Sequence, residues 1–430
     1  MNNIRIAYIC HYSTDFVRRR LSLRSFLCEN LVRRMCGISR LGYVDFGTWN
    51  ADFIDTIDSI GKYDIYVFVH HMGMKKKQEC FQEGHVHYSF LKEGRGLFNR
   101  LVWSIAPQME KKHYSRVAKQ IKNEVEQINP DLVIVCGAEN PIYSPSALLF
   151  IDKPVFVILQ TLLNSKKRVE MNIGSEYRKR LENTIFSQIN YFGTFNLDDS
   201  YYIHSINRHA NCFRLYYPSS EQKIERIKET PKYDFVFFSN GLSKYKGTED
   251  ALRGFAFVHR KHPNCNMIFI GSCENAYMEV LNDIIKENDI RNNVVFHDRF
   301  PQKSDMLKQV LGSRVAVLPG ITAPLNSTVR ECMFMSVPVI VYSNSVTSVI
   351  NKMQTCVLTA EMENVNDLGM KMLYAYEHPC EMEKMSECAK DYAVNNFSKQ
   401  SVGKNLMKII DAVLENYYKG GIIPNELLLT

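Results

Sequence analysis

The sequence lacks the features that define several classes of protein. No apolar run reaches the ~18 residues that a membrane-spanning helix needs, and the first ten residues, MNNIRIAYIC, predict a strand and not a signal peptide. The twelve cysteines form no C-x-x-C pair and match no Cys/His spacing typical of a metal site. These absences favour a cytoplasmic protein whose thiols stay reduced and which holds no metal.

The charge is distributed unevenly along the 430 residues. Residues 1–218 hold 29 Lys and Arg against 21 Asp and Glu, whereas the rest of the chain holds 24 against 25. This asymmetry favours an anionic partner for the first half, although ordinary solvated side chains would give the same count. No helix-turn-helix, zinc or RNA-binding signature is present, so we expect no nucleic-acid partner.

Short β-rich runs alternate with helical stretches in the first half, which is typical of a parallel α/β sheet. The residue pattern predicts a helix at 107–128 and strands at 4–10, 63–70, 131–137 and 154–160. Residues 71–106 show no clear periodicity and contain His, Gly and Lys. We therefore expect this segment to be a mobile loop or lid.

Residues 214–235 contain two prolines and a charged run, which indicate an interdomain linker. A second alternation predicts strands at 233–241, 266–272, 294–298, 314–320 and 338–342, with only helices after residue 365. We predict an α/β fold of two Rossmann-like, doubly wound domains facing a cleft, with C-terminal helices packing back on the first domain. The predicted divisions are an N-terminal domain at 1–218, a C-terminal domain at 219–395, and a closing helix and tail at 396–430.

The segment SNGLSKYKGTEDAL (239–252) has the composition of a phosphate-binding turn. A predicted strand ends at Asn240-Gly241, Lys246 follows in a polar turn, and Gly247-Thr248 open a helix. Unpaired N–H groups at a helix start and a lysine point charge both favour phosphate. A solvated surface turn is the alternative for this segment taken alone.

The segment APLNSTVRECMFMSVPVI (323–340) predicts a second helix start followed by a buried strand. Asn326, Ser327 and Thr328 are good N-cap residues, and Glu331 follows Thr328 at the spacing of a capping box. One interpretation is therefore that Glu331 only caps its own helix. The other is that its carboxylate accepts hydrogen bonds from ligand hydroxyls such as those of a ribose.

Several short motifs occur in a particular order along the second half. They are Lys246-Gly247, Gly271-Ser272, Val295-Phe296, Leu318-Pro319, Glu331-Cys332-Met333, Val337-Pro338-Val339-Ile340 and Phe397-Ser398. Their order and spacing resemble the donor domain of the retaining family-4 glycosyltransferases (glycosyl transferases group 1), which have the GT-B fold. The segment 177–196 is similar to the family's Arg-x-x-x-Glu helix and following strand.

The resemblance implies which residues bind the substrates. Lys246 matches the lysine that binds the donor diphosphate, Glu331 the second glutamate of the E-x7-E motif, and Gln160 the position of a cleft histidine. The implied donor-binding set also includes Asn240, Gly241, Gly247, Gly271, Phe296, Pro324, Leu325, Asn326, Ser327 and Thr328. Three positions depart from the pattern: Ala323 stands where the first glutamate is expected, Gly241 where an arginine is expected, and Gln160 where a histidine is expected.

The implied activity is transfer of a sugar from a nucleotide-diphosphate-sugar, UDP- or GDP-linked, to a glycan or lipid-linked acceptor in bacterial surface polysaccharide synthesis. It would be a hexosyltransferase-type enzyme (EC 2.4), retaining by resemblance, and would need no metal or other cofactor. A catalytically impaired nucleotide-sugar-binding or scaffold protein of the same fold is the alternative. A nucleotide-sugar epimerase of this fold would need several acids able to move protons, and the donor motifs supply only Glu331.

Basic residues in the first half predict an acceptor or membrane-facing patch. They are Arg18, Arg19, Arg20, Arg24, Lys166, Lys167 and Arg168. The segment 22–37 adds apolar residues at helical spacing. We expect these residues to meet an anionic or lipid-linked acceptor at the inner face of a membrane, or else to be ordinary solvated side chains.

Overall fold

The chain folds into two compact units. They are seen in a computed structural model that describes residues 3–35, 42–94, 107–219, 231–300, 302–322 and 325–429. The first unit comprises Met1–Pro218 and Val402–Thr430, and the second comprises Ser219–Ser401. The chain therefore passes from the first unit to the second after Pro218 and returns within its last long helix.

The first unit contains an eight-stranded sheet with strand order β3-β4-β2-β1-β5-β6-β7-β8. All neighbouring strands are parallel except β3, which is antiparallel to β4. The strands are β1 (Ile4–Cys10), β2 (Tyr63–His71), β3 (Gln78–Glu83), β4 (Val86–Lys92), β5 (Leu132–Cys136), β6 (Val155–Ile158), β7 (Tyr191–Thr194) and β8 (Asn211–Arg214). Strand β5 is buried along its whole length, as expected for a strand covered on both faces.

Helices connect the strands of the first unit. They are α1 (Asp15–Arg18), α2 (Leu27–Met35), α3 (Thr48–Asp58), α4 (Pro107–Ile128), α5 (Lys166–Glu170), α6 (Glu176–Gln188) and α7 (Leu197–Ile206). Val117, Ile121 and Val125 lie at helical spacing on α4 and pack in the core with Val133 and Val135 of β5. The apolar stripe of α4 is thus buried against the sheet, and its charged face is left to solvent.

The expectation of an irregular lid over residues 71–106 is wrong for residues 78–92. Strands β3 and β4 form a hairpin there, in which Gln78 pairs with Leu91 and Glu83 with Val86. The two-residue turn begins at Gly84, whose φ of 58° is the left-handed conformation that such turns require. Residues 95–106 of the predicted lid lie outside the described residues.

The second unit contains a fully parallel six-stranded sheet with order β11-β10-β9-β12-β13-β14. The strands are β9 (Tyr233–Gly241), β10 (Met267–Ser272), β11 (Val294–His297), β12 (Ser313–Val317), β13 (Val339–Tyr342) and β14 (Leu358–Ala360). This is the doubly wound order. Strands are added outward from β9 on one side and outward from β12 on the other, so the order of strand addition reverses between β9 and β12. Ligands of such sheets bind beyond the carboxyl ends of the strands at that reversal.

Helices of the second unit are α8 (Thr248–His259), α9 (Asn275–Glu287), α10 (Lys303–Leu311), α11 (Ser327–Phe334), α12 (Ser345–Ile350), α13 (Val365–Glu377) and α14 (Pro379–Phe397). The final helix, α15 (Lys399–Lys419), returns to the first unit. There Asp411 pairs with Lys62 at 2.8 Å, and the Tyr191 hydroxyl donates to Asn416 at 2.6 Å. The predicted two-domain α/β fold and the return of the C-terminal helix are confirmed.

Within the part of the chain that the structure describes, no helix is both long and apolar enough to cross a bilayer.

Candidate nucleotide-sugar site

In the second unit, hydrogen bonds join the carboxyl ends of β9 and β10. Leu242 N donates to Ser272 O at 2.8 Å, and Ser272 Oγ donates to Asn240 O at 2.9 Å. Gly271 has a φ of 153°, and a Cβ at this position would lie 2.5 Å from Ser239 O. Glycine is therefore required for the two strand ends to approach this closely.

The turn after β9 leads directly into the start of α8. Lys244–Lys246 form one turn of 3₁₀ helix, and Gly247 follows with a φ of 78°. A Cβ on Gly247 would lie 2.1 Å from Pro319 O, so this turn lies directly against the loop that follows β12. The Thr248 hydroxyl closes the turn by donating to Ser243 O at 3.0 Å. The half-buried Lys246 is thus held at the N-terminus of a helix, where anions are favoured.

The loop after β12 leads to the start of α11. Ile321 N donates to Tyr245 O at 3.0 Å, which joins this loop to the turn that carries Lys246. Asn326 is the N-cap residue of α11, but its side chain does not cap the first turn. A Cβ on Gly320 would lie 2.8 Å from Asn326 Nδ2, so this amide is directed back at the loop. The two helix starts therefore lie at neighbouring strand ends of one sheet.

Glu331 does not cap its own helix, so the capping-box interpretation is wrong. The helix begins at Ser327, which places Glu331 in the second turn. Its side chain is 14% exposed, and Oε1 lies 2.7 Å from Lys303 Nζ. Lys303 is the first residue of α10. Sequence reasoning missed this lysine, because its partner is 28 positions later and no local spacing connects the two.

We expect Lys303→Met to lower the affinity for nucleoside diphosphates by only about 2- to 5-fold, since ion pairs with one exposed partner contribute about 0–1 kcal/mol. The physical reason is that Lys303 pairs with Oε1 of Glu331, so that its loss leaves the orientation of this carboxylate less restricted. Isothermal titration with UDP and GDP measures this effect. Lys308→Met is the matched control, because Lys308 pairs with Asp305 on the surface of the same helix.

The remaining predicted donor residues differ in exposure. Phe296 packs its ring on Phe269 with centroids 5.2 Å apart, and Leu325 is buried. Ser327 is exposed and Thr328 is half-buried at the start of α11. Pro324 and Ala323 lie outside the described residues. Among the described residues, no group of three or more His, Cys, Asp or Glu side chains is placed to bind a metal ion.

In the first unit, Gln160 is exposed two residues after the end of β6. A buried acid that sequence reasoning missed, Glu139, follows the neighbouring strand β5. Arg178 Nε donates to Glu139 O at 3.0 Å, and its guanidinium lies 4.0 Å from Glu139 Oε1. Burial raises the pKa of Glu139, and the nearby charge of Arg178 opposes that rise. The Gly-Ala-Glu run after a buried strand was the only sequence signal for this acid.

The predicted Arg-x-x-x-Glu helix corresponds to α6. Glu182 is fully buried, and its carboxylate accepts hydrogen bonds from Leu163 N at 2.9 Å and from Asn164 N at 3.0 Å. Burial raises its pKa to about 7, although these hydrogen bonds act in the opposite direction. Glu182 therefore fixes the loop that follows Gln160, which is a structural role.

Most of the predicted basic patch is engaged in ion pairs. Arg18 pairs with Asp45 at 2.7 Å, Arg19 with Asp15 at 2.5 Å, Arg20 with Glu83 at 2.9 Å and Arg24 with Glu29 at 3.3 Å.

On α5, Lys166 is exposed, Lys167 lies 3.6 Å from Glu170, and Arg168 is half-buried. Burial lowers the pKa of Arg168, and the charge of Glu139 opposes this effect. Arg168 is thus close to Glu139, the buried acid that follows β5.

Two doubly wound units of this kind define the GT-B fold of glycosyltransferases. Residues 219–392, all within the second unit, match the family described as Glycosyl transferases group 1. A comparison with curated protein sequences gives no significant match.

Solved structures similar to this chain include three from bacteria. Sucrose-phosphate synthase from Thermosynechococcus elongatus is 11% identical, with a TM-score of 0.71 over 95% of this chain and 98% of that one. Anabaena HepE in complex with UDP and glucose is 11% identical, with a TM-score of 0.61 over 95% and 100%. The trehalose-6-phosphate synthase of E. coli bound with UDP-2-fluoro glucose is 9% identical, with a TM-score of 0.63 over 96% and 99%. At these identities the likeness establishes the fold alone.

Proposed function

We propose that this protein is a glycosyltransferase (EC 2.4) that transfers a hexose from a nucleotide-diphosphate-sugar to a glycan or lipid-linked acceptor. The observation that carries the proposal is the junction at the strand reversal of the second unit. There the Gly247 turn lies against Pro319, the helix start at Thr248 follows Lys246, and Ile321 N, in the loop that leads to the helix start at Ser327, donates to Tyr245 O. The family match over residues 219–392 supports the same activity.

The chemistry requires that the charge growing on the departing diphosphate be stabilised. In the proposed mechanism, Lys246 supplies a point charge, and the backbone N–H groups that open α8 and α11 supply fixed donors. These groups are pre-organised, because Gly247 and Thr248 fix the turn before any ligand binds. Glu331 accepts hydrogen bonds from the ribose hydroxyls of the nucleotide, and Gln160 contacts the donor sugar or the acceptor.

The nature of the donor is inferred from similar proteins. Anabaena HepE is found in complex with UDP-glucose, and the E. coli protein is bound with UDP-2-fluoro glucose. We propose a UDP-linked or GDP-linked sugar for this chain, with retention of configuration and no required metal. We further propose that the first unit binds the acceptor, in the synthesis of a bacterial surface polysaccharide.

A binding protein without turnover is the second candidate. It is favoured by Ala323 and Gly241, which stand where the resembled family has a glutamate and an arginine. Glu331 has no second acid between Ala316 and Arg330 to assist it. On this alternative the nucleotide end of the site is kept, and the chemistry at the sugar end is lost.

Binding and turnover across UDP-, GDP-, ADP- and CMP-sugars separate the two candidates. The transferase proposal predicts release of one nucleoside diphosphate for each sugar transferred to a lipid or glycan extract. Tight binding of one nucleotide without any hydrolysis or transfer would instead support the binding protein. If no nucleotide in the panel binds, both candidates are wrong.

Glu331→Ala is expected to remove the preference for ribose over deoxyribose. The wild-type protein should bind UDP about 10-fold more tightly than 2′-deoxy-UDP, since a hydrogen bond to a charged group is worth about 1.5–3 kcal/mol. The variant should bind the two nucleotides equally, as titration calorimetry would measure. Asp305→Ala, an exposed acid on α10, serves as the control and should keep the preference. An undiminished preference in Glu331→Ala would remove Glu331 from the ribose site.

A further inference from the structure

We propose that helix α2 is a docking surface for an anionic lipid bilayer, independent of the transfer reaction. The helix presents an apolar stripe to solvent. Leu27, Leu31 and Met35 follow one another at intervals of four residues, and their exposed fractions are 77%, 63% and 82%. Side chains at this spacing line one face of a helix, and Val32, 59% exposed, widens it. This exposure is unusual, because a helix on a globular unit normally turns its apolar face to the core.

The opposite face of α2 is less exposed than the apolar stripe. Glu29, Asn30 and Arg33 are half-buried, and Glu29 Oε1 lies 3.3 Å from Arg24 Nη1. Glu29 is the only acid of the helix. Its charge is therefore neutralised on the protein side, and no acid lies on the exposed apolar stripe.

The segment that leads into α2 is tightly anchored. Phe26 packs on Tyr43 with ring centroids 4.8 Å apart, and the Tyr43 hydroxyl donates to Arg24 O at 2.9 Å. Arg24 N in turn donates to Gly73 O at 2.8 Å. The start of α2 is thus attached to the rest of the first unit through Arg24 and Phe26.

Exposed cations lie on one side of the stripe and beside the segment that leads into the helix. Arg34 is exposed and lies on the helix surface next to the row of Leu27 and Leu31. Lys75 N donates to Ser22 O at 2.9 Å, which places Lys75 and Lys77, both exposed, beside that segment, whereas Lys76 pairs with Glu79 at 3.3 Å. An apolar stripe accompanied by exposed cations is the arrangement of helices that lie in the interface of anionic membranes. The net positive charge of residues 1–218 also favours an anionic surface.

Co-sedimentation of the full chain with phosphatidylglycerol vesicles tests the proposal, with phosphatidylcholine vesicles as the neutral comparison. The wild-type protein should bind the anionic vesicles at least 10-fold more strongly, and added salt should weaken this binding. Leu31→Glu should lower the binding at least 10-fold, and Arg34→Glu should lower it several-fold. Ile151→Glu is the matched control, because Ile151 is 90% exposed elsewhere in the first unit and its replacement should change nothing.

Three results would overturn the proposal: no sedimentation of the wild-type protein, equal binding by Leu31→Glu, and equal binding to neutral vesicles. A wild-type dimer that Leu31→Glu converts to a monomer, without membrane binding, would assign the stripe to a second copy of the chain instead. An unchanged melting temperature shows that each variant is folded. UDP affinity in solution is measured separately, so failure of this proposal and failure of the proposed transferase activity are distinguishable.

Discussion

Replacing Lys246 with alanine is expected to lower the affinity for the donor nucleoside diphosphate by about 10- to 100-fold, because hydrogen bonds to charged groups are worth about 1.5–3 kcal/mol. The side chain leaves a 3₁₀ turn directly before Gly247, whose left-handed backbone opens α8. A lysine in that position adds a full charge to the partial positive charge of the helix N-terminus. Sugar transfer should fall further, since the charge on the leaving group grows in the transition state.

Lys244→Ala provides a matched control in the same turn. Lys244 is exposed, and Lys246 is half-buried two residues further along. Titration calorimetry with UDP and GDP, together with the rate of nucleotide release from the preferred sugar donor, measures both variants. If the two substitutions have equal effects, then Lys246 acts only through the net charge of the region, and the proposed diphosphate contact is wrong.

Gly247→Ala is expected to abolish measurable nucleotide binding. The left-handed backbone costs an alanine about 1–2 kcal/mol, and the added Cβ would lie 2.1 Å from Pro319 O. The Cβ position is fixed by the backbone of residue 247, and the atom it meets is a backbone oxygen. No side-chain rotation can therefore relieve this overlap. The turn that carries Lys246 must therefore separate from the loop after β12, which moves two of the proposed diphosphate-binding elements apart.

Another glycine separates these causes. Gly61 has a φ of 67° and no atom within 4 Å of an added Cβ, so Gly61→Ala measures the backbone strain alone. This variant should keep wild-type UDP affinity in calorimetry. Retention of that affinity by Gly247→Ala would show that the contact with Pro319 does not position the site.

The residues on short local motifs could be predicted from the sequence, whereas those that depend on distant partners could not. Asn240-Gly241 and Lys246-Gly247 follow a strongly apolar strand, and the glycine before a helix is a local signal. The hairpin over residues 78–92 also had such a signal, in the alternation around Gly84, but the histidines and lysines nearby obscured it. Lys303 had no local signal, because its partner is distant in sequence, and the Gly-Ala-Glu run before Glu139 did not reveal its distant partner Arg178.

The sequence by itself determined the α/β class, the two doubly wound units and the order of the donor motifs, since apolar periodicity and turn residues act over short distances. Only the tertiary structure decided that Glu331 binds Lys303 and leaves its own helix start uncapped. It also decided that Arg18 and Arg20 are paired with the distant acids Asp45 and Glu83 while the apolar face of α2 is exposed. Charge pairing and burial depend on which surfaces meet after folding, and no spacing along the chain encodes that.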